Sequence, residues 1–189
     1  MELFLRRKRQ VKVNTEELSE LKRGHLLDTR IIVAKMFSFL PKQLKQQVNM
    51  ADLQDAAMLH DYGKVIIPKK ILNKKGELTP EEKKIMELHS EFGYELLKAQ
   101  GVRESVLNLI KYHHQNEHGK GYPAANKDFE YSVSLQILKA ADEYSALREK
   151  RSYKRELSSS EALEIIYKEV LNGNLLQEIF DVLKKAVAC

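Results

Sequence analysis

An all-α domain of about seven to nine helices is the fold class this chain predicts, and three observations predict it. Gly and Pro are scarce, eight and four in 189 residues, and Trp is absent, which leaves little material for a turn-rich β architecture. Cap residues followed three places later by Glu stand ahead of apolar stripes. The stripes themselves, such as Leu135, Leu138 and Ala141, repeat at three to four residues, the helical interval.

In chain order, residues 1–13 alternate loosely and read as a basic N-terminal arm. Residues 14–189 read as one domain, long enough for a single well-buried core. Asn14 with Glu17 caps a helix from about Thr15 to Leu40, stopped by Pro41. A short helix is expected after Pro41. Asn49 and Asp52 open another, which carries Leu53, Ala56, Ala57 and Leu59 into His60-Asp61 before Tyr62-Gly63-Lys64 breaks it. Thr79-Pro80-Glu81-Glu82 is the strongest start signal, with cap, first-turn Pro and Glu in their places. That helix is expected to run to about Ala99, with Gly101 ending it. Val102 to about His114 reads as the next helix, followed by a polar glycine-bearing loop to residue 131. Ser132 to Glu149 is helical by its apolar spacing. Ser158 with Glu161 starts a helix that ends at Asn172-Gly173, and Asn174 is expected to cap the last one.

Charged residues make up 31% of the chain and hydrophobic ones 43%, an ordinary globular balance. The net charge of +5 suits a phosphate-bearing partner. The Arg6-Arg7-Lys8-Arg9 cluster is the one segment suggesting nucleic acid or lipid; nucleic acid is not the expected partner. The sole cysteine, Cys189, is the last residue, so no internal disulfide forms and a reducing, cytoplasmic setting is expected. No apolar run reaches the ~20 residues of a membrane span. The N-terminal order of charge and apolar residues is wrong for a secretory signal.

The chemistry sits in the nitrogen and carboxylate donors. His25, His60, Asp61, His89, His113, His114 and Asp142 fall at the inner ends or on the core-facing stripes of five predicted helices, and only His118 among the six histidines is left over. Residues three or four apart share a helix face, so Leu21 leads to His25, Ala56 to His60, Ile85 to His89, Ile110 to His113 or His114, and Leu138 to Asp142. A helical-bundle core holds such convergent sites. A thiolate-free set suits iron, manganese or a similar first-row ion better than a structural zinc. His60 and Asp61, adjacent and about 100° apart around a helix, address two ions better than one. A bridging Asp61 carboxylate would hold two ions close enough to act together on a phosphoryl group. Lys64, in the glycine turn, is placed to neutralise a phosphate oxygen.

These residues resemble a known family. HDYGKVIIPKKILNKKGELTPEEKKIMELH, then HHQNEHGKGYP, then ILKAADEYSAL with REKRSYK, is similar to the HD-GYP subfamily of HD-domain phosphohydrolases over about residues 20–185. The resemblance implies an HD-domain helical bundle with the metal centre in its core, and hydrolysis of cyclic di-GMP to the linear dinucleotide and onward to GMP by a metal-bridging hydroxide. It implies that His25, His60, Asp61 and Asp142 hold one ion, and that Asp61 bridges to a second held by His89, His113 and His114. Iron or manganese is the implied metal. Asp61 and Lys64 would be catalytic, Lys64, Arg151 and Lys154 would contact substrate phosphates, and Tyr122 with Pro123 would shape the guanine-side loop. Leu21 stands where members with a third ion carry Glu, implying two ions. Gln115, His118 and Ser145 replace acidic residues usual in the family. Two alternatives remain beside the leading one: a phosphohydrolase for another nucleotide, and a non-catalytic adaptor binding a nucleotide or a protein partner through the Gly-Tyr-Pro loop.

Overall fold

The computed structural model describes residues 24–127, 129–149 and 156–188. The basic arm, the first turns of the helix predicted from Thr15, Leu21, and the substrate residues Arg151 and Lys154 lie outside the described residues. Ten α-helices and one 3₁₀ turn are described: α1 (His25–Phe39), α2 (Lys42–Lys45), α3 (Met50–Leu59), the 3₁₀ turn (Tyr62–Ile66), α4 (Lys69–Leu72), α5 (Pro80–Glu87), α6 (His89–Lys98), α7 (Glu104–Tyr112), α8 (Val133–Arg148), α9 (Ser159–Leu171) and α10 (Gln177–Val187). Eight of these helices have eight residues or more, within the expected seven to nine, and the fold is all-α as predicted.

The start signals work as local chemistry requires. Thr79 Oγ1 accepts from the Glu82 N–H while the Glu82 carboxylate accepts from the Thr79 N–H, and Ser158 and Glu161 repeat the arrangement. Asn49 and Ser132 cap α3 and α8 with their side-chain oxygens. α1 stops at Phe39, ahead of Pro41.

Three boundaries differ from the sequence expectation. The run expected from Thr79 to Ala99 is two helices meeting at Leu88. There the turn tightens: the Leu88 N–H donates to the Ile85 carbonyl at 3.3 Å, and the Met86 carbonyl accepts from the His89 imidazole. Asn174 does not cap the final helix. Leu175 drops into the core, Leu176 takes the cap position, and the Gln136 side chain of α8 accepts from the Leu176 N–H at 3.0 Å. A single-turn α4 after Pro68 was not foreseen.

α8 is the central helix. Its Ile137, Leu138, Ala140 and Ala141 are buried on several sides, against α1, α3, α7, α9 and α10. α1 adds Val33 and Met36, α3 adds Leu53 and Ala56, and α7 adds Leu107 and Ile110. α6 is held against the 3₁₀ turn by a backbone contact that only glycine permits: a Cβ on Gly63 would overlap the His89 carbonyl and lie 2.5 Å from the Gly93 nitrogen. This contact sets the turn after His60-Asp61 directly beside His89. No helix among the described residues is long and apolar enough to cross a membrane.

Candidate metal centre

Three helix C-termini converge in the core. His60 is the C-cap of α3, His113 is the C-cap of α7, and His89 follows the C-cap of α5. In each case the ring Nδ1 lies on the carbonyl three residues back: Ala57 at 3.0 Å, Ile110 at 2.6 Å and Met86 at 2.7 Å. Carbonyls of a helix's last turn lack an intrahelical partner, so the sequence position of each histidine supplies its acceptor. That bond keeps the proton on Nδ1 and leaves Nε2 as a lone pair. The negative ends of three helix dipoles meet at the same place and favour a cation there.

The Nε2 atoms then face one another. His89 Nε2 and His113 Nε2 stand 3.3 Å apart. Burial above all holds both imidazoles below their ordinary pKa, so neither ring carries a second proton to share. Two facing lone pairs repel unless a cation lies between them. His60 Nε2 is fully buried with no hydrogen-bond partner among the described residues, although Asp142 Oδ1 lies 3.3 Å away. An orphaned nitrogen and an opposed pair of lone pairs are costly in a core, and both fit a bound metal.

The carboxylates complete the set. Asp142 Oδ1, from α8, is 2.7 Å from His25 Nε2. Asp61 faces two ways: Oδ2 lies 3.6 Å from His60 Nε2 and 3.9 Å from His25 Nε2, while Oδ1 lies 3.5 Å from His89 Nε2. Neighbouring donors around a six-coordinate ion with ~2.1 Å bonds sit about 3 Å apart, so these gaps are close to ligand spacing. The donor atoms cluster as His25 with His60 and Asp61, His60 with His113 and Asp142, and His89 with His113 and His114, each within 4.8 Å. All seven residues singled out in the sequence thus occupy one place, and His113 lies between the two sides rather than on one alone. His118 is exposed and joins none of these groups.

The electrostatics divide the same way. Burial pushes the Asp61 carboxyl up, but Lys64, His60 and His89 outweigh it and hold it well below the usual carboxylate range. Asp142 is likewise held down against burial by His60 and His25. Burial works against protonation of His60, yet Asp61 and Asp142 raise its pKa overall. His114 is lowered to about 3, chiefly by burial. The side with His89, His113 and His114 therefore offers neutral nitrogens, and the side with His25 and His60 carries the acidic charge.

Lys64 Nζ donates to Asp61 Oδ2 at 2.6 Å and remains 21% exposed, so the ammonium reaches both the centre and the surface. The Tyr122 ring lies on His114, centroids 4.5 Å apart and planes at 31°, and an antiparallel backbone bridge joins the same two residues. Gln115 holds this loop in place. Its Nε2 donates to the Pro123 carbonyl at 2.6 Å, and its Oε1 accepts from the N–H groups of Gly121 (2.9 Å) and Asn116 (3.1 Å). Gly121 has no room for a side chain, since a Cβ would overlap the His114 carbonyl. Sequence reasoning noted Gln115 and Ser145 only as departures from a pattern and missed what each touches; Ser145 lies on His25 Nδ1 at 3.0 Å.

Residues 9–174 match the HD domain family. A cyclic di-GMP phosphodiesterase of Thermotoga maritima is 37% identical over 131 residues, which cover 68% of this chain and 35% of that protein. The 3'3'-cGAMP-specific phosphodiesterase 1 of Vibrio cholerae is 30% identical over 152 residues, 80% of this chain and 35% of that protein. The chain thus spans about a third of the length of these curated relatives. The HD domain of the phosphodiesterase PgpH of L. monocytogenes, solved with cyclic-di-AMP, shares the fold with a TM-score of 0.61 at 19% identity, over 87% of both chains.

Proposed function

Because the chain belongs to the HD domain family, in its HD-GYP branch, we propose that it is a metal-dependent phosphodiesterase that hydrolyses cyclic di-GMP to the linear dinucleotide and, in a second round, to GMP. The observation that carries this reading is the position of Asp61, whose two oxygens face two sets of imidazole nitrogens while Lys64 donates to one of them. We assign His25, His60, Asp61 and Asp142 to one ion, and Asp61, His89, His113 and His114 to a second. Nitrogen and carboxylate donors without thiolate favour iron or manganese. Bound divalent ions would supply Lewis-acid stabilisation of phosphoryl oxygens and make water a nucleophile at neutral pH.

The chain's own residues do the rest. Water adds across one phosphodiester bond: an oxygen–phosphorus bond forms, the bond from phosphorus to a ribose oxygen breaks, and that oxygen takes a proton. Lys64, anchored by Asp61 and open to the surface, meets the negative charge that grows on the phosphoryl oxygens in the transition state. Tyr122, resting on His114, and Pro123, tied down by Gln115, give the substrate a fixed edge on the guanine side. Arg151 and Lys154 are assigned to the non-reacting phosphate on the sequence motif alone.

A second substrate reading, 3'3'-cGAMP, is favoured by the likeness to a phosphodiesterase named for it. The two are separated by incubating metal-loaded protein with each dinucleotide in parallel and following the linear products. Faster opening of cyclic di-GMP supports the leading reading, faster opening of 3'3'-cGAMP the second, and turnover of neither counts against both.

A further inference from the structure

His25 is the one proposed metal ligand among the core histidines that opens a helix instead of closing one. At a helix start the backbone offers N–H groups, not carbonyls, so the acceptor that orients His60, His89 and His113 is lacking there. His25's own carbonyl is already occupied, accepting from Thr29 Oγ1 at 2.8 Å. The Nδ1 of His25 meets Ser145 Oγ instead, at 3.0 Å and across 120 residues of chain. The same hydroxyl donates to the His25 carbonyl at 3.2 Å.

We infer that Ser145 is a positioning residue of the metal centre, the side chain that fixes the tautomer and orientation of His25. A hydroxyl has one proton. With that proton on the His25 carbonyl, Ser145 Oγ presents lone pairs to Nδ1 and holds the imidazole proton there. Nε2 is then the ligating nitrogen, and it sits 2.7 Å from Asp142 Oδ1, where both donors address one point. Ser145 is buried, so water does not compete for either bond. It lies on α8 one turn after Asp142, and a single helix therefore sets both the carboxylate ligand and the orienting group of its neighbour. Partners of this kind set ligand basicity and direction, and their loss costs about 10–100-fold in metal affinity. This inference rests on the two-ion reading above.

The test compares wild type, Ser145→Ala, Ser145→Thr and His25→Ala as metal-free proteins titrated with Mn2+ by calorimetry, each with a thermal melt before metal is added. Alanine is the better helix former, so Ser145→Ala is not expected to lower the metal-free melt through the helix itself. The expected result is two sites in the wild type. Ser145→Ala should weaken one of them about 10–100-fold, the same site that His25→Ala abolishes, and leave the other unchanged. Ser145→Thr, which keeps the hydroxyl, should restore the weakened site. Unchanged binding at both sites in Ser145→Ala overturns the inference, and so does an equal loss in Ser145→Thr. A wild type that binds no Mn2+ defeats the two-ion reading itself, which is a different outcome from an intact pair of sites indifferent to Ser145.

Discussion

His89 Nε2 and His113 Nε2 stand 3.3 Å apart while each ring's Nδ1 is engaged by a helix carbonyl. The folded protein thus brings two lone pairs together in its core, and only a cation turns that arrangement from a cost into a contact. Metal and folding are therefore coupled in this chain.

Added Mn2+ is expected to raise the melting temperature of the metal-free protein. At one hundred times the dissociation constant, the stabilisation is about 2.7 kcal/mol per site. His113→Ala removes one of the opposed nitrogens and should shrink the shift while leaving the metal-free melt similar or slightly higher. The check is a thermal melt with and without metal. An equal metal-induced shift in His113→Ala and wild type would show that this histidine is not a ligand.

Lys64→Ala is expected to keep its metal ions and lose most of its catalytic rate. The ammonium touches Asp61, not a histidine nitrogen, and its proposed role grows with charge in the transition state. Arg151→Ala and Lys154→Ala should mainly raise KM, because contacts to a non-reacting phosphate help ground and transition states alike. Steady-state kinetics with metal content measured in parallel distinguishes the two patterns. Wild-type turnover in Lys64→Ala would remove it from the reaction.

The metal-free protein should lose stability as pH falls below about 6.5. His89, His113 and His114 titrate below the ordinary 6.5 in the folded state, His114 at about 3, so in that window the unfolded chain binds protons the folded chain refuses. Each contributes at most about 1.4 kcal/mol per pH unit, an upper value for the half-buried His114. His60, whose pKa is raised, adds stability that is complete below 6.5 and fades only as pH rises through its folded value. Asp61 and Asp142, held well below 3.8, subtract stability only under that pH. Urea midpoints between pH 7.5 and 5 in the presence of a chelator read the slope, and His114→Gln should flatten it. A flat profile in the wild type would contradict the neutral histidine cluster.

Much of this was readable along the chain because it is local. A Thr79–Glu82 or Ser158–Glu161 box needs only four residues, and donors on apolar stripes needed only the helical period. What could not be read depends on partners distant in sequence. The split at Leu88 follows from His89 taking the Met86 carbonyl, and the displaced cap at Asn174 follows from Gln136 reaching across from α8. The contact between His25 and Ser145 spans the whole domain, and nothing near either residue announces it.

Gly63→Ala is expected to destabilise the protein by about 3 kcal/mol, at the upper end of overpacking costs, and to lower metal content. The added Cβ meets backbone, the His89 carbonyl and the Gly93 nitrogen, and backbone does not yield as a side chain does. Denaturant unfolding and metal analysis of the same sample check both halves. A variant with full stability would mean that the 3₁₀ turn and α6 are not held as closely as the geometry requires.

The most direct test of the central claim, a two-ion centre bridged by Asp61 that opens a cyclic dinucleotide, is one preparation measured twice. Anaerobically purified wild type and Asp61→Asn are reconstituted with iron or manganese, counted for metal, and given cyclic di-GMP. The account predicts about two ions and linear product for the wild type, and fewer ions with no turnover for Asp61→Asn. A wild type that holds two ions and leaves cyclic di-GMP intact, or an Asp61→Asn variant that matches it in both metal and turnover, would contradict the account.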